Sequence, residues 1–170
     1  MMTRLVTDRL MMRRCQSSDF EAMLELVSDL DVVRNTATWP HPADPDLTRT
    51  RCVPFDPELG MVGVVCKAGV VIGSMGLAAK PDEAPQLGYM FAAKHWGQGY
   101  ATEMGCALID HCWARYDWPL IRADVFADNP ASARVLEKLG FEELAATTGH
   151  SVARDATAPL RNFRLLRPQG

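Results

Sequence analysis

The stretch His95-Trp96-Gly97-Gln98-Gly99-Tyr100-Ala101-Thr102-Glu103 has the residue types and spacing to hold an anion. Gly97 and Gly99 let the backbone turn tightly and come close to a ligand with no side chain in the way. The apolar run Leu87-Gly88-Tyr89-Met90-Phe91-Ala92-Ala93 precedes them, short enough for a buried strand over 86–93. After them Ala101, Met104, Leu108 and Cys112 recur at steps of three and four, with Tyr100, Glu103, Asp110 and Arg115 off that face, which predicts a helix. The first amides of a helix have no partner inside it, and the helix dipole adds positive potential there. A phosphate or pyrophosphate suits such a site. A P-loop needs a Gly-x-x-x-x-Gly-Lys run, and no such lysine occurs here. A dinucleotide loop needs glycine where this chain has Thr102. A plain glycine turn entering a helix is the alternative that binds nothing.

A second informative stretch runs from Ala127 to Phe141. Asn129 is a good N-cap, and Pro130 fits the first helical position. Val135, Leu136 and Leu139 supply an apolar face, and Gly140 ends the helix in a left-handed cap. Ile121 to Phe126, just before it, reads as a strand.

The remaining elements must position these two stretches. Residues 4–14 read as a first strand, followed by a helix over about 19–29 with Phe20, Met23, Leu24 and Val27 on one face. The prolines of Val33-Arg34-Asn35-Thr36-Ala37-Thr38-Trp39-Pro40-His41-Pro42 make that segment a loop, with His41 as part of the connector. A short helix from Asp46 to Val53 comes next. Met61 to Cys66 and Val70 to Leu77 then form a hairpin around Lys67-Ala68-Gly69. The strand at 86–93 pairs back antiparallel. A doubly wound dinucleotide fold would carry its glycine loop after the first strand, and here it follows a meander.

The 170 residues fit one domain over 1–170, and 48% hydrophobic content is enough for a substantial core. A net charge of −3 gives no support for nucleic-acid binding. Five cysteines at 15, 52, 66, 106 and 112 contain no Cys-x-x-Cys pair, and Cys66, Cys106 and Cys112 read as core thiols. The four histidines lack His-Glu-x-x-His spacing, so no metal is expected. No run of membrane length or signal peptide is evident, which makes a cytoplasmic protein the default.

Trp96-Gly97-Gln98-Gly99-Tyr100-Ala101 resembles the acyl-CoA loop of the GNAT N-acetyltransferases. Trp96 in the first position, followed by Thr102-Glu103, resembles the RimJ/RimL-like branch of ribosomal-protein N-terminal acetyltransferases. So do Thr7-Asp8-Arg9-Leu10 and the helix entry at Asp19. Asn129-Pro130-Ala131-Ser132 followed by Glu137-Lys138-Leu139-Gly140-Phe141 resembles the family's second motif, about thirty residues after the first. The resemblance covers nearly the whole chain.

It implies an α+β GNAT fold. The central sheet would be mostly antiparallel, of six to seven strands splayed between the fourth and fifth, with about four helices on both faces. It implies acetyl-CoA as cofactor. Met90, Phe91 and Ala92 would offer backbone bonds to the pantetheine arm in the splay. Trp96 would open the loop, and the amides of Gly97, Gln98, Gly99, Tyr100, Ala101 and Thr102 would hold the pyrophosphate. Asn129 would bond the pantetheine, with a plain N-cap as the alternative. Ser132 would reach the sulfur as candidate acid, with a solvated helix hydroxyl as the alternative. Arg34, Trp39, Gln86 and Tyr89 would line the acceptor side, Trp39 serving equally well as a core plug.

The implied reaction is direct attack of a neutral primary amine, from a small molecule or a protein N-terminus, on the thioester in a ternary complex. A backbone N–H near Met90 would stabilise the oxyanion. The chain, monomer or homodimer, would act without nucleic acid or membrane. It departs from the family twice: Leu136 stands where many members have a tyrosine acid, and Gln86 where many relatives have glutamate. The base is therefore unassigned. A non-catalytic acyl-CoA-binding or sensor module and a nucleotide-dependent enzyme are the other readings.

Overall fold

Alternating apolar residues build the sheet on which everything else rests. The structure, a computed structural model, describes residues 2–170. The strands β3 (Gly60–Lys67) and β4 (Val70–Ala78) form a hairpin whose turn holds Ala68 at φ 49° and Gly69 at φ 79°. Ahead of them, β1 (Arg4–Val6) and β2 (Met11–Arg14) pair with each other, and β2 pairs with β3. The single strand expected over 4–14 is thus two. The Thr7 amide donates to the Leu10 carbonyl at 2.9 Å and turns the chain back.

After β2 come a 3-10 turn at Ser17–Asp19, α1 (Phe20–Val27) and α2 (Leu30–Val33). The helix expected over 19–29 breaks at Ser28 and Asp29. The Ser28 hydroxyl donates back to the Leu24 carbonyl, and Asp29 caps α2 by accepting from the Asp31 amide. Asp44 likewise caps α3 (Pro45–Arg51). β5 (Gln86–Phe91) follows β4 antiparallel, and α4 (Tyr100–Arg115) crosses back over the sheet. β6 (Leu120–Phe126), α5 (Pro130–Lys138), β7 (Glu142–Glu143), β8 (Thr147–Ser151) and β9 (Ala156–Leu166) complete the chain.

The sheet order is β1-β2-β3-β4-β5-β6-β9-β7, with β8 paired to β9. The nine strands among the described residues exceed the expected six to seven because the first strand divides and the C-terminal region supplies three. β5 and β6 are the parallel neighbours. Their register contains one pair, Gln86↔Arg122, supported by the Arg122 amide donating to the Pro85 carbonyl at 2.8 Å. Beyond that point the two strands part. The expected splay is present, now between the fifth and sixth strands.

Each face of the sheet has its own core. Met104, Leu108 and Cys112 of α4 pack with Leu136 of α5 and Leu87 and Phe91 of β5 on one face. Met23, Val27, Val32 and Val33 pack with Val64, Cys66 and Met90 on the other. Tyr100, expected off the buried face of α4, is 4% exposed and belongs to the first core. Cys66 and Cys112 are buried as expected, whereas Cys106 is exposed.

One buried ion pair ties β2 to the helical layer. Asp19 is 5% exposed, and its carboxylate accepts from both Arg13 terminal nitrogens at 2.8 Å and from the Gln16 amide at 2.8 Å. The Arg13 guanidinium holds the Asp19 carboxyl below its ordinary range. This contribution to stability is complete above the unfolded value near pH 4 and is lost as pH falls through the lower folded value. Asp19→Asn leaves Arg13 without its counter-charge and should cost about 3–5 kcal/mol in denaturant unfolding at neutral pH. The variant should also lose the Asp19 component of the wild type's acid sensitivity.

Candidate functional site

The site grows from the place where β5 loses its neighbour. Backbone groups on a strand alternate between its two sides. The Ala92 amide donates to the Ile72 carbonyl at 2.9 Å, on the β4 side, and the Ala92 carbonyl accepts from the His95 amide at 2.8 Å. The register Ser74↔Met90 puts the Met90 groups on the β4 side as well. Tyr89 and Phe91 therefore carry the groups that face the parting, and the Phe91 carbonyl accepts from Trp96 Nε1 at 2.8 Å. The backbone donors expected at Met90 and Ala92 are already committed, and those facing the gap lie one residue to the side.

The glycine loop follows directly. Gly97 and Gly99 adopt φ 71° and 78°, a region that L side chains rarely enter. A Cβ at Gly97 would meet nothing within 4 Å, and one at Gly99 would meet only Arg9 Nη2, at 3.6 Å. Conformation rather than crowding requires glycine, and the space above the loop is open. Trp96 donates its amide to Ala93, and the Glu103 amide begins the helical ladder on the Gly99 carbonyl at 3.0 Å. Between them the amides of residues 97–102 have no acceptor among the described residues. They stand at the N-terminus of the 16-residue α4, where the dipole adds to their potential.

The loop is fixed from behind. Glu103 Oε1 accepts from the Thr7 hydroxyl at 2.6 Å and the Arg9 amide at 3.0 Å, and Oε2 accepts from Arg9 Nε at 2.7 Å. The Thr7 hydroxyl, followed by Arg9, pulls the Glu103 carboxyl below its ordinary range. The Arg9 guanidinium in turn lies 4.6 Å from the Tyr100 ring centre, and Lys67 Nζ lies 5.4 Å from the same ring. Nearby, partial burial together with Lys94 and Lys67 lowers the pKa of His95.

On the opposite wall, α5 begins with a reciprocal cap. The Ser132 amide donates to Asn129 Oδ1 at 3.4 Å, and Asn129 Nδ2 donates to Ser132 Oγ at 3.1 Å. The Tyr89 hydroxyl crosses from β5 and donates to the Ser132 carbonyl at 3.3 Å.

These parts enclose a cleft of about 360 Å³. Tyr89, Met90, Phe91, Trp96, Gly97, Gln98, Gly99, Tyr100, Ala101, Thr102, Asn129 and Ser132 all line it, so most of the residues singled out in the sequence come together. Four do not line it. Ala92 is held by its backbone bonds. Gln86 is exposed at the start of β5, about 10 Å along the strand from Tyr89. Trp39 packs against the α1–α2 core under the Arg51 guanidinium, 4.3 Å from its ring centre, which is the core-plug role. Arg34 pairs with Asp128 at 3.2 Å, beside the Arg154–Asp128 pair at 2.7 Å.

His95, at the head of the glycine stretch, also lines the cleft, as do Val32, Asn35, Ala131, Arg134, Val135 and Lys138, none of which the sequence had marked individually as a site residue. Ala131, Arg134, Val135 and Lys138 recur at steps of three and four along α5, a helical face that periodicity alone could have flagged. Among the described residues the cleft contains no carboxylate, whereas His95, Arg134 and Lys138 line it. Such a lining suits an anion beside an unpaired strand edge. No cluster of His, Cys, Asp or Glu among the described residues could hold a metal ion.

Comparison with known proteins follows the same direction. Residues 9–142 match the family described as acetyltransferase (GNAT) domain. An uncharacterised N-acetyltransferase, p20 of Bacillus licheniformis, is 25% identical over 98% of this chain and 97% of its own length. The L-amino acid N-acetyltransferase AaaT of Escherichia coli is 26% identical over 78% of this chain and 83% of its own. Among solved structures, RimL, a ribosomal L7/L12 alpha-N-protein acetyltransferase in complex with coenzyme A, superposes with a TM-score of 0.83 at 18% identity, covering 96% of this chain and 98% of that one.

Glu103 is the tie between the β1–β2 turn and the loop. Glu103→Ala should leave α4 intact and free the turn at Thr7–Leu10. Hydrogen exchange should then speed up at the turn amides of Thr7, Arg9 and Leu10, with little change in the β3–β4 hairpin. Unchanged exchange at Arg9 and Leu10 would contradict the tie.

Proposed function

The chain belongs to the acetyltransferase (GNAT) domain family, and from that premise we propose that it transfers an acetyl group from acetyl-CoA to a primary amine by direct attack in a ternary complex. The observation that carries the reading is the run of unpartnered amides at 97–102 next to the unpaired edge of β5 in one cleft. The donor set fits the cofactor. The amides and the α4 dipole suit a pyrophosphate, and the open space at Gly97 and Gly99 admits it. The free groups of Tyr89 and Phe91 suit the amides of a pantetheine arm, since unpaired strand groups are costly to bury. When bound, acetyl-CoA supplies an activated acyl group. The amides of Tyr89 and Phe91 are the backbone donors left for a developing oxyanion. Asn129 and Ser132 line the same cleft from α5.

The acceptor in this reading is an α-amine. AaaT, an L-amino acid N-acetyltransferase, and RimL, an alpha-N-protein acetyltransferase, share that group. An amine is mostly protonated at neutral pH and must lose a proton before it attacks. With no carboxylate lining the cleft, water carries that proton away. No helix among the described residues is long and apolar enough to cross a membrane, and a cytoplasmic site of action belongs to the same reading. The absence of a carboxylate also favours one second reading, a non-catalytic acyl-CoA sensor. An acceptor screen that follows free thiol release from acetyl-CoA separates them: turnover with any amine excludes the sensor.

Two variants test the assignment. Gly99→Glu places a negative charge where the pyrophosphate binds and demands φ 78° of an L residue. CoA affinity by calorimetry should fall by about tenfold or more, and an unchanged affinity in a folded variant would sink the loop assignment. Gln86→Ala should keep kcat within about threefold, because the side chain lies outside the cleft and proton removal does not depend on it. Abolished turnover with intact CoA binding would return Gln86 to the acceptor site.

A further inference from the structure

Sulfur leaving a thioester needs a proton, and the cleft offers two hydroxyls beside the start of α5. Ser132 Oγ accepts from Asn129 Nδ2 at 3.1 Å as part of the helix cap, which leaves its own proton free, but an aliphatic hydroxyl is a far weaker acid than a thiol. Tyr89 carries a phenol, much closer to a thiol in acidity. Its ring packs against the core shared by β5, α4 and α5, 6.5 Å from the Phe91 ring centre. Its hydroxyl spans the parting of the strands and ends at the first turn of α5. The 3.3 Å bond to the Ser132 carbonyl is long for a hydroxyl donor. That carbonyl lies inside α5, where the helical ladder serves it too. The phenol can thus turn to a stronger acceptor without stranding a buried group.

We propose that Tyr89 is the general acid of the transfer, giving its hydroxyl proton to the departing sulfur; this rests on the acetyl-transfer reading above. As the new C–N bond holds and the C–S bond breaks, the sulfur takes the bonding pair and then the proton from Tyr89 Oη. The nitrogen releases one proton to water, and water returns one to the phenolate, so the tyrosine ends as it began. Among uncharged side-chain hydroxyls a phenol is the closest in acidity to a thiol, so the proton has the shortest uphill step to the departing sulfur. Burial pushes the Tyr89 phenol above its ordinary value, which keeps it protonated at neutral pH.

Tyr89→Phe keeps the ring and removes the proton. Calorimetry should find CoA affinity within about threefold of wild type. Ultraviolet titration of the bound CoA thiol should show its pKa raised by about one pH unit, because the thiolate has lost a hydrogen-bond donor. The kcat should fall about 10²-fold or more, with little change in the KM of the acceptor. Replacing Tyr89 with a fluorinated tyrosine, a stronger acid, should move the alkaline limb of the kcat profile to lower pH. A folded Tyr89→Phe protein that binds CoA normally and keeps both its thiol titration and kcat within about threefold overturns the proposal. Failure of the wild-type chain to bind CoA overturns the acetyl-transfer reading instead, and calorimetry on that chain alone distinguishes the two.

Discussion

A strand that loses its partner halfway along is the constraint on which this molecule turns. β5 meets β6 at Gln86↔Arg122 and then runs beside a gap. A sheet interior tolerates such a gap only where something else meets the backbone groups on its rim. The protein supplies part of the answer, with Trp96 Nε1 on the Phe91 carbonyl. The rest of the edge stays open toward a cleft. Because β5 is held firmly to β4 along its whole length, and β6 equally to β9, the opening cannot relax by sliding one strand toward the other. The two half-sheets therefore act as fixed walls.

The second half of the design is the backing of the glycine loop. A row of unsatisfied amides would ordinarily fold inward or fray. Here Glu103 grips the β1–β2 turn with both oxygens, and that turn carries Arg9 up beside Tyr100. A carboxylate in the first turn of α4 is favoured by the dipole in any case. Its pairing with Arg9 and Thr7 leaves the amides, rather than the acid, as the groups presented to the cleft. A chain with a net charge of −3 thus surrounds its cleft with His95, Arg134 and Lys138 and keeps carboxylates out of it.

Much of this was legible in the sequence because it is local. The glycine loop, the helix behind it and the Asn129 cap are set by neighbours a few residues away, and the structure places them as read. What the sequence left obscure depends on distant partners. Residues 4–14 alternate well enough for one strand, but the turn at Thr7–Leu10 is fixed by Glu103, nearly a hundred residues on. Tyr100 looked solvent-facing on a helical wheel, yet it is covered by Arg9 and Lys67 from other elements. The side of β5 on which a backbone amide emerges follows from a register with β4 that no local pattern shows, so Met90 and Ala92 were read alongside Phe91, where Tyr89 and Phe91 carry the groups that face the gap. Gln86 was placed by analogy of position, and the length of the strand carries it away from the cleft.

The cleft is lined from both faces of the sheet: Val32 and Asn35 come from the α2 side, and Ala131, Arg134 and Lys138 from α5. Its walls are therefore drawn from both helical layers, and a molecule lying along the edge of β5 would touch α2 and α5 at once. A shift of either layer against the sheet would change the shape of the cleft without touching the glycine loop. The same parting that exposes the edge of β5 gives the sheet a window.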